Sequence, residues 1–421
     1  MLFASTDFLF PKKNMKTGIG YANHPDAFVC GERAAEAAWR SGAIEHPGLV
    51  LAFCAGSLDA REFHRGLVSK VGKGVPVLGG SAIGLITRET LCYTGHPGGV
   101  AILEWEGAPI RTTCVHAIDT DEFQGGRRLA QQLAECVNGD FCLMFYDSIK
   151  SPMTAISPPV MNASPPLLAG LREVLPAGVT VVGAGLLGDQ AFNPTYQFCD
   201  ALVGQQCATA TILSDQFKPY VRIMHGCMPK DGIYHTITRM AGPVIAEIDG
   251  RPAAAFIDEL YGSRRWREQV PVKRLAIGIN HGEKFAHYRE EVFVNRLIVG
   301  PSPDGDGLIL FEPDLQVGSE ILFMLRDAKV MIESVRRNTR ELLESVRRDG
   351  RRPSFGLYID CAGRTAADFE TLLEEAAEVQ AVFAQAQIPL LGFYSGVEVA
   401  PLLGQSRGLD WTGVLLVLTE R

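Results

Sequence analysis

The feature that most constrains this chain is a plan repeated three times along it. PVLGGSAIGLI (76–86) is followed by GGVAILEW (98–105), TVVGAGLLGDQAF (180–192) by QQCATATIL (205–213), and PLLGFYSGVEVAP (389–401) by TGVLLVLTE (412–420). Each reads as an apolar strand, a Gly-bearing turn, a short irregular piece and a second strand rich in Val, Ile and Leu. Before each lies another buried-type strand: LVLAFCAG (49–56), DFCLMFYDS (140–148) and FGLYIDCAGR (355–364). Helical segments separate the two. A strand–helix–strand–strand unit used three times predicts an α/β fold of mixed β-sheets flanked by helices, and an αββα layering is one arrangement it admits.

The clearest helix is TAADFETLLEEAAEVQAVFAQAQ (365–387), where Phe369, Leu372, Leu373, Ala376, Val379 and Phe383 recur at helical steps and Thr365 with Asp368 forms a capping-box pattern. In the middle copy SPPVMNASPPLL (157–168) is expected to break the helix early. Between copies two and three the pattern changes. VIAEIDGRPAAAFIDELYG (244–262) reads as strand, turn and helix, FVNRLIVGPSPDGDGLILFEPDL (293–315) as a hairpin, and 327–350 as a long amphipathic helix ending at Gly350. This change places a boundary near 226–245.

Composition excludes several classes. The 421 residues carry a net charge of −8 with no broad basic stripe, so no nucleic-acid footprint is expected. Apolar runs stop at strand length, which argues against membrane insertion. None of the ten cysteines forms a CxxC pair, and with no secretory pattern at the N-terminus the expectation is reduced thiols in a cytoplasm. KVGKGVPVLGG (70–80) has neither Walker A nor GxGxxG spacing.

Polar groups recur at strand ends. Asp147 ends the strand of copy two, and Asp360, Cys361 and Arg364 end that of copy three. Counting from the Gly-bearing turns, Asp189 and Glu398 share a slot that holds Leu85 in copy one, and Ser81 and Tyr394 lie in the adjoining strands. Such groups converge on crevices in α/β sheets. Arg364 could clamp a ligand carboxylate while Glu398 with Asp189 or Asp147 meets an amine. The other reading is structural: turn aspartates cap backbone N–H groups, and an arginine between acids forms an ion pair. His225, in HGC, is the candidate axial ligand if haem is bound, and Cys361 the candidate nucleophile of a hydrolase.

These residues also carry a family resemblance. PVLGGSAIGLI, VVGAGLLGDQAF, VRIMHGCMPKDGIYHTITRMAGPVIAEIDGRPAAAFI, LILFEPDLQVGSEILFMLRDA, LYIDCAGR and GFYSGVEVAP resemble, in order, the blocks of FIST proteins over roughly residues 20–420. The resemblance implies a FIST domain over 20–225 and a FIST_C domain over 240–421. It further implies a bacterial sensory module that binds a small ligand, with an amino acid the expected class. Because the chain stops after its last strand, output is expected through a separate partner such as a histidine kinase. Some members resemble haem-binding nitric-oxide sensors, and a homo-oligomer is compatible with the family. Leu85 and Val397 depart from the family pattern, at the acid of copy one and at the Gly before the last Glu.

Overall fold

A computed structural model describes residues 15–107, 110–135, 139–152, 154, 159–366 and 373–420. The first repeat runs β1 (Lys16–Asn23), α1 (Ala27–Ser41), β2 (Leu49–Ala55), α2 (Ala60–Val71), β3 (Val77–Ala82), the hairpin β4 (Leu85–Thr87) and β5 (Leu91–Cys92), and β6 (Pro97–Glu104). The second runs β7 (Thr112–Val115), α3 (Glu122–Ala134), β8 (Phe141–Asp147), the short β9 (Ile149–Ser151) and β10 (Val160–Met161), α4 (Ser164–Val174), β11 (Thr180–Leu186), the hairpin β12 (Gln197–Cys199) and β13 (Leu202–Gly204), and β14 (Ala208–Leu213). The third opens with β15 (Phe217–Met224) and is then interrupted. The interruption holds β16 (Cys227–Pro229), β17 (His235–Ala241), β18 (Val244–Ile248), β19 (Arg251–Pro252), α5 (Ala253–Tyr261), β20 (Leu275–Asn280), β21 (Phe293–Pro301), β22 (Leu308–Leu310) and β23 (Glu320–Arg326). The repeat resumes with α6 (Ala328–Arg348), β24 (Pro353–Cys361), α7 (Ala376–Ala386), β25 (Leu390–Ser395), the hairpin β26 (Val397–Leu402) and β27 (Gln405–Leu409), and β28 (Gly413–Glu420).

In every repeat the two central strands pair in parallel, β2 with β3, β8 with β11 and β24 with β25, as helix crossovers require. The hairpins do not stay at home. β4 pairs with β25, β12 with β3, and β26 with β11. Each repeat therefore donates its hairpin to a neighbour's sheet, and the three six-stranded sheets are laced into a ring.

Strand alternation then fills the interior. Leu49, Leu51 and Phe53 of β2, Phe141, Leu143 and Phe145 of β8, and Phe355, Leu357 and Ile359 of β24 all enter one shared core. At its centre Phe53 stacks on Phe393 at 3.9 Å between ring centroids and meets Phe145 edge-on at 5.2 Å, one ring from each sheet. The opposite faces carry helices: Val50, Ala52 and Cys54 pack with the α1–α2 pair, and Cys142, Met144 and Tyr146 with α3–α4. The architecture is thus three-sided, where an αββα stack would have placed only two sheets face to face. The helix pairs of the first two repeats cross through reciprocal glycines. A Cβ at Gly31 would lie 2.0 Å from the Phe63 carbonyl oxygen and one at Gly66 2.0 Å from that of Phe28; Gly126 and Gly170 stand likewise against Leu167 and Phe123.

The interrupting strands close on themselves. The path β23–β17–β18–β22–β21–β20 returns to β23, forming a small antiparallel barrel with α5 and Trp266 in its core. Since β15 pairs with β28 along its whole length, this barrel is an insertion within repeat three. Two expected helices differ. Pro165 lies in the first turn of α4 and opens that helix, because a helix start has no use for its missing N–H. The helix expected over 365–387 is not continuous: Leu373 and Glu374 are not helical, and α7 starts at Ala376. Ahead of it Glu374 accepts from the Ala366 N–H (3.0 Å) and Glu375 from Arg364. Leu373, assigned to the apolar face, is exposed; Asp368, Phe369 and Leu372 lie outside the described residues.

Candidate functional site

Glu398 lies on β26, opposite Ala184 of β11 and Leu409 of β27, and is fully buried. It accepts from the Ser395 hydroxyl at 2.8 Å and the Thr412 N–H at 3.3 Å, and burial pushes its carboxyl well above the usual range. Strand register changes its assigned counterpart. Glu398 faces Ala184, Leu85 faces Phe393 and Gln197 faces Gly80, each opposite a residue two before the end of its strand. Gln197, not Asp189, is therefore the equivalent of Glu398. The connection after β11 is longer than its counterparts, so counting along the sequence stopped short. Asp189 caps its own turn, accepting from the Ala191 and Asn193 N–H groups.

Arg364 is enclosed. Its Nε and Nη2 donate to the two carboxylate oxygens of Glu375 at 2.5 and 2.6 Å, and Nη1 donates to the carbonyls of His225 (2.9 Å) and Trp411 (2.6 Å). Asp360 stands 3.3 Å from Nε, off line for a hydrogen bond, and burial pushes its carboxyl up. With its side chain inaccessible, Arg364 has no face left for a ligand, and its geometry is that of a buried ion pair. Tyr394 is buried beside it and reaches Glu374 (3.4 Å). Burial raises the Cys361 thiol, the opposite of what a thiolate nucleophile needs.

His225 is buried with both ring nitrogens engaged. Nε2 donates to the Glu290 carbonyl at 2.9 Å, and Nδ1 accepts from the Cys227 N–H at 3.0 Å. Neither is free to ligate iron, so this residue does not fit an axial haem ligand. Asp147 accepts from Thr195 Oγ1 (2.6 Å) and the N–H groups of Gln206 (2.9 Å) and Ile149 (3.0 Å), tying the end of β8 to two loops. Ser81 accepts from the Tyr196 N–H at 2.9 Å. The fold thus disperses the candidates: Glu398, Asp360, Cys361 and Arg364 gather in repeat three, Asp189 caps its own turn, and Asp147 and Ser81 tie strand ends to the segment over 195–206.

An open site lies instead where the inserted barrel meets α4 and the β26–β27 hairpin. A cavity of about 310 Å³ there is walled by Arg172, His281, Arg296, Asp314, Glu320 and Arg407. Arg296 is buried and holds Asp314 bidentately, with Nε to Oδ1 at 2.7 Å, and donates to the Gly408 carbonyl at 3.2 Å. Arg172 and Arg407 have no carboxylate within 4 Å among the described residues, and the buried Nε of Arg407 has no partner. Burial first, then the charges of Arg172 and Arg296, hold the Arg407 guanidinium below its usual range; burial pushes His281 down to about 4 and leaves it neutral. Behind Arg296 lie Glu312 and Asp410, both raised by burial, with Glu398 beyond them against Tyr146. Glu398 is thus part of a buried acid cluster beneath this cavity. Sequence reasoning passed over Glu312, although an acid ending the apolar run LILFE is much the same signal that singled out Glu398. The arginines had no such signal, because they come from three separate elements.

The FIST N domain model matches residues 48–251 and the FIST C domain model residues 253–401. The chain belongs to the FIST family, whose domains are associated with sensory signal transduction. No curated protein matches it. Among solved structures, a cyanuric acid hydrolase is similar at 10% identity, covering 97% of this chain and 100% of its own, with a TM-score of 0.29. PurL of T. maritima complexed with ADP is similar at 12% identity over 96% of this chain and 72% of its own, TM-score 0.22. Likeness at this level carries no argument about activity. Among the described residues no helix is long and apolar enough to cross a membrane.

Proposed function

We propose that this chain is a sensor for a small carboxylate-bearing ligand, an amino acid by class, bound in the cavity between the inserted barrel and repeats two and three. The observation that carries the reading is the pair Arg172 and Arg407, cations without carboxylate partners among the described residues, on the wall of a cavity at the small end of the ligand-site range, roughly 300–1,000 Å³. A ligand carboxylate would supply the missing counter-charge, with Asp314 and Glu320 as acceptors for an amine. Because the walls come from the barrel and from the sheet ring, a ligand would bias how the two pack, and that bias is what a separate partner such as a histidine kinase would read.

A thermal-shift panel of amino acids and dicarboxylates tests this. At least one ligand should raise the melting temperature of the wild type, and Arg407→Ala should abolish that shift while leaving the unliganded melting temperature close to wild type. A panel with no stabilising ligand, or shifts retained in Arg407→Ala, would overturn the reading.

A further inference from the structure

Away from that cavity, the paired strands β7 and β14 bring soft metal ligands together, with the exchanged β12–β13 hairpin of the neighbouring sheet beside them. Cys114 is the penultimate residue of β7, His116 follows two residues later, and Cys207 lies in the turn entering β14. The alternation of a strand puts Cys114 and His116 on one side. Their ligand atoms and the Cys207 sulfur all lie within 4.8 Å of one another, with Cys207 Sγ 3.1 Å from His116 Nδ1. Cys199, from the exchanged β12–β13 hairpin, is a fourth thiol in contact with Cys114. Space is kept for the cluster by Gly204, where a Cβ would stand 2.8 Å from Cys207 Sγ and 3.7 Å from His116 Cε1.

We infer that Cys114, His116 and Cys207 form a binding site for a zinc-class divalent ion. Two thiolates and one imidazole are the donor set this ion prefers. Zn–S and Zn–N bonds of about 2.3 and 2.1 Å at tetrahedral angles place ligand atoms roughly 3.5–3.8 Å apart, so small rotations complete the site. The fourth position falls to the Cys199 thiolate or to a water, since His116 opens the cluster to solvent. Binding releases the thiol protons of Cys114 and Cys207 to solvent and changes no oxidation state. The ion would pin the edge strand β7 and the loop after the exchanged hairpin, at the seam between two of the three sheets.

Elemental analysis of the full chain, purified under reducing conditions and incubated with zinc, should find about one ion per chain after gel filtration. Cobalt substitution should give a thiolate-to-metal charge-transfer band in the near ultraviolet. Cys114→Ser and Cys207→Ser should lose the ion, and Cys92→Ser should keep it. Because Cys207 is buried and its variant could misfold, the exposed His116→Ala is the second test, expected to weaken zinc binding at least about tenfold with the circular dichroism unchanged. No zinc uptake by the reduced wild type, or wild-type zinc binding in both Cys114→Ser and His116→Ala, would overturn the assignment. A Cys114–Cys207 or Cys114–Cys199 disulfide in freshly isolated protein would overturn it in favour of a thiol redox pair.

Discussion

Replacing Glu375 by alanine separates an architectural Arg364 from a ligand-binding one. The side chains of Arg364 and Glu375 are 0% and 3% exposed, so water cannot take the place of the lost carboxylate. Leaving one partner of a buried pair unpaired costs roughly 3–5 kcal/mol. Asp360 limits the loss. Burial and the neighbouring Glu375 charge push its carboxyl up; removing Glu375 relieves part of that, and Asp360 can then serve the guanidinium 3.3 Å away. We therefore expect the low end, about 3 kcal/mol for Glu375→Ala, and under about 1 kcal/mol for Asp360→Asn alone. The double variant should exceed the sum by about 1 kcal/mol or more, because the fallback is then removed as well. Urea unfolding reports this directly. Trp411 is buried, gives its carbonyl to Arg364, and has the Arg326 guanidinium 3.4 Å above its ring, so its fluorescence follows this packing. Circular dichroism recorded alongside checks that the transition is cooperative. A cost below about 1 kcal/mol for Glu375→Ala, together with loss of ligand-induced stabilisation, would refute the ion-pair reading and return Arg364 to the ligand.

Two further expectations concern the ring of sheets. Burial, outweighing three donated hydrogen bonds, raises Asp147 from 3.8 to about 6, so the folded state binds the proton more tightly than the unfolded one. Its stabilising contribution is complete below the unfolded value and is lost as pH rises through 6; relative to Asp147→Asn, the wild type should lose about 2 kcal/mol between pH 4 and 7, and urea titrations showing a relative gain would contradict this. Gly126→Val should cost at least roughly 1–3 kcal/mol, because its side chain would enter the 2.0 Å gap to the Leu167 carbonyl oxygen and force α3 off α4; unchanged stability would mean that the helix pair packs otherwise.

Local pattern determined much of this protein. The three repeats, the hairpin over 293–315, the long helix after Asp327 and the family itself are all legible in spacing and residue type, because burial on one face of a strand or helix imposes a period on the sequence. Asp327 caps that helix, accepting from the N–H groups of Lys329 and Val330. What only the tertiary structure decided is which edge each element meets. A hairpin such as β4–β5 announces that it turns, but not that it will pair with β25, some 300 residues on. Donation of all three hairpins to neighbouring sheets, and closure of the inserted strands into a barrel, follow from matching free strand edges in space. The same limit hid the sites. Arg364 looked like a clamp until Glu375 and two carbonyls were seen around it. Arg172, Arg296 and Arg407, like Cys114, His116 and Cys207, come together only because their strands and helices do: charge and ligand chemistry act over a few ångströms, and sequence separation carries no information about which distances the fold makes short.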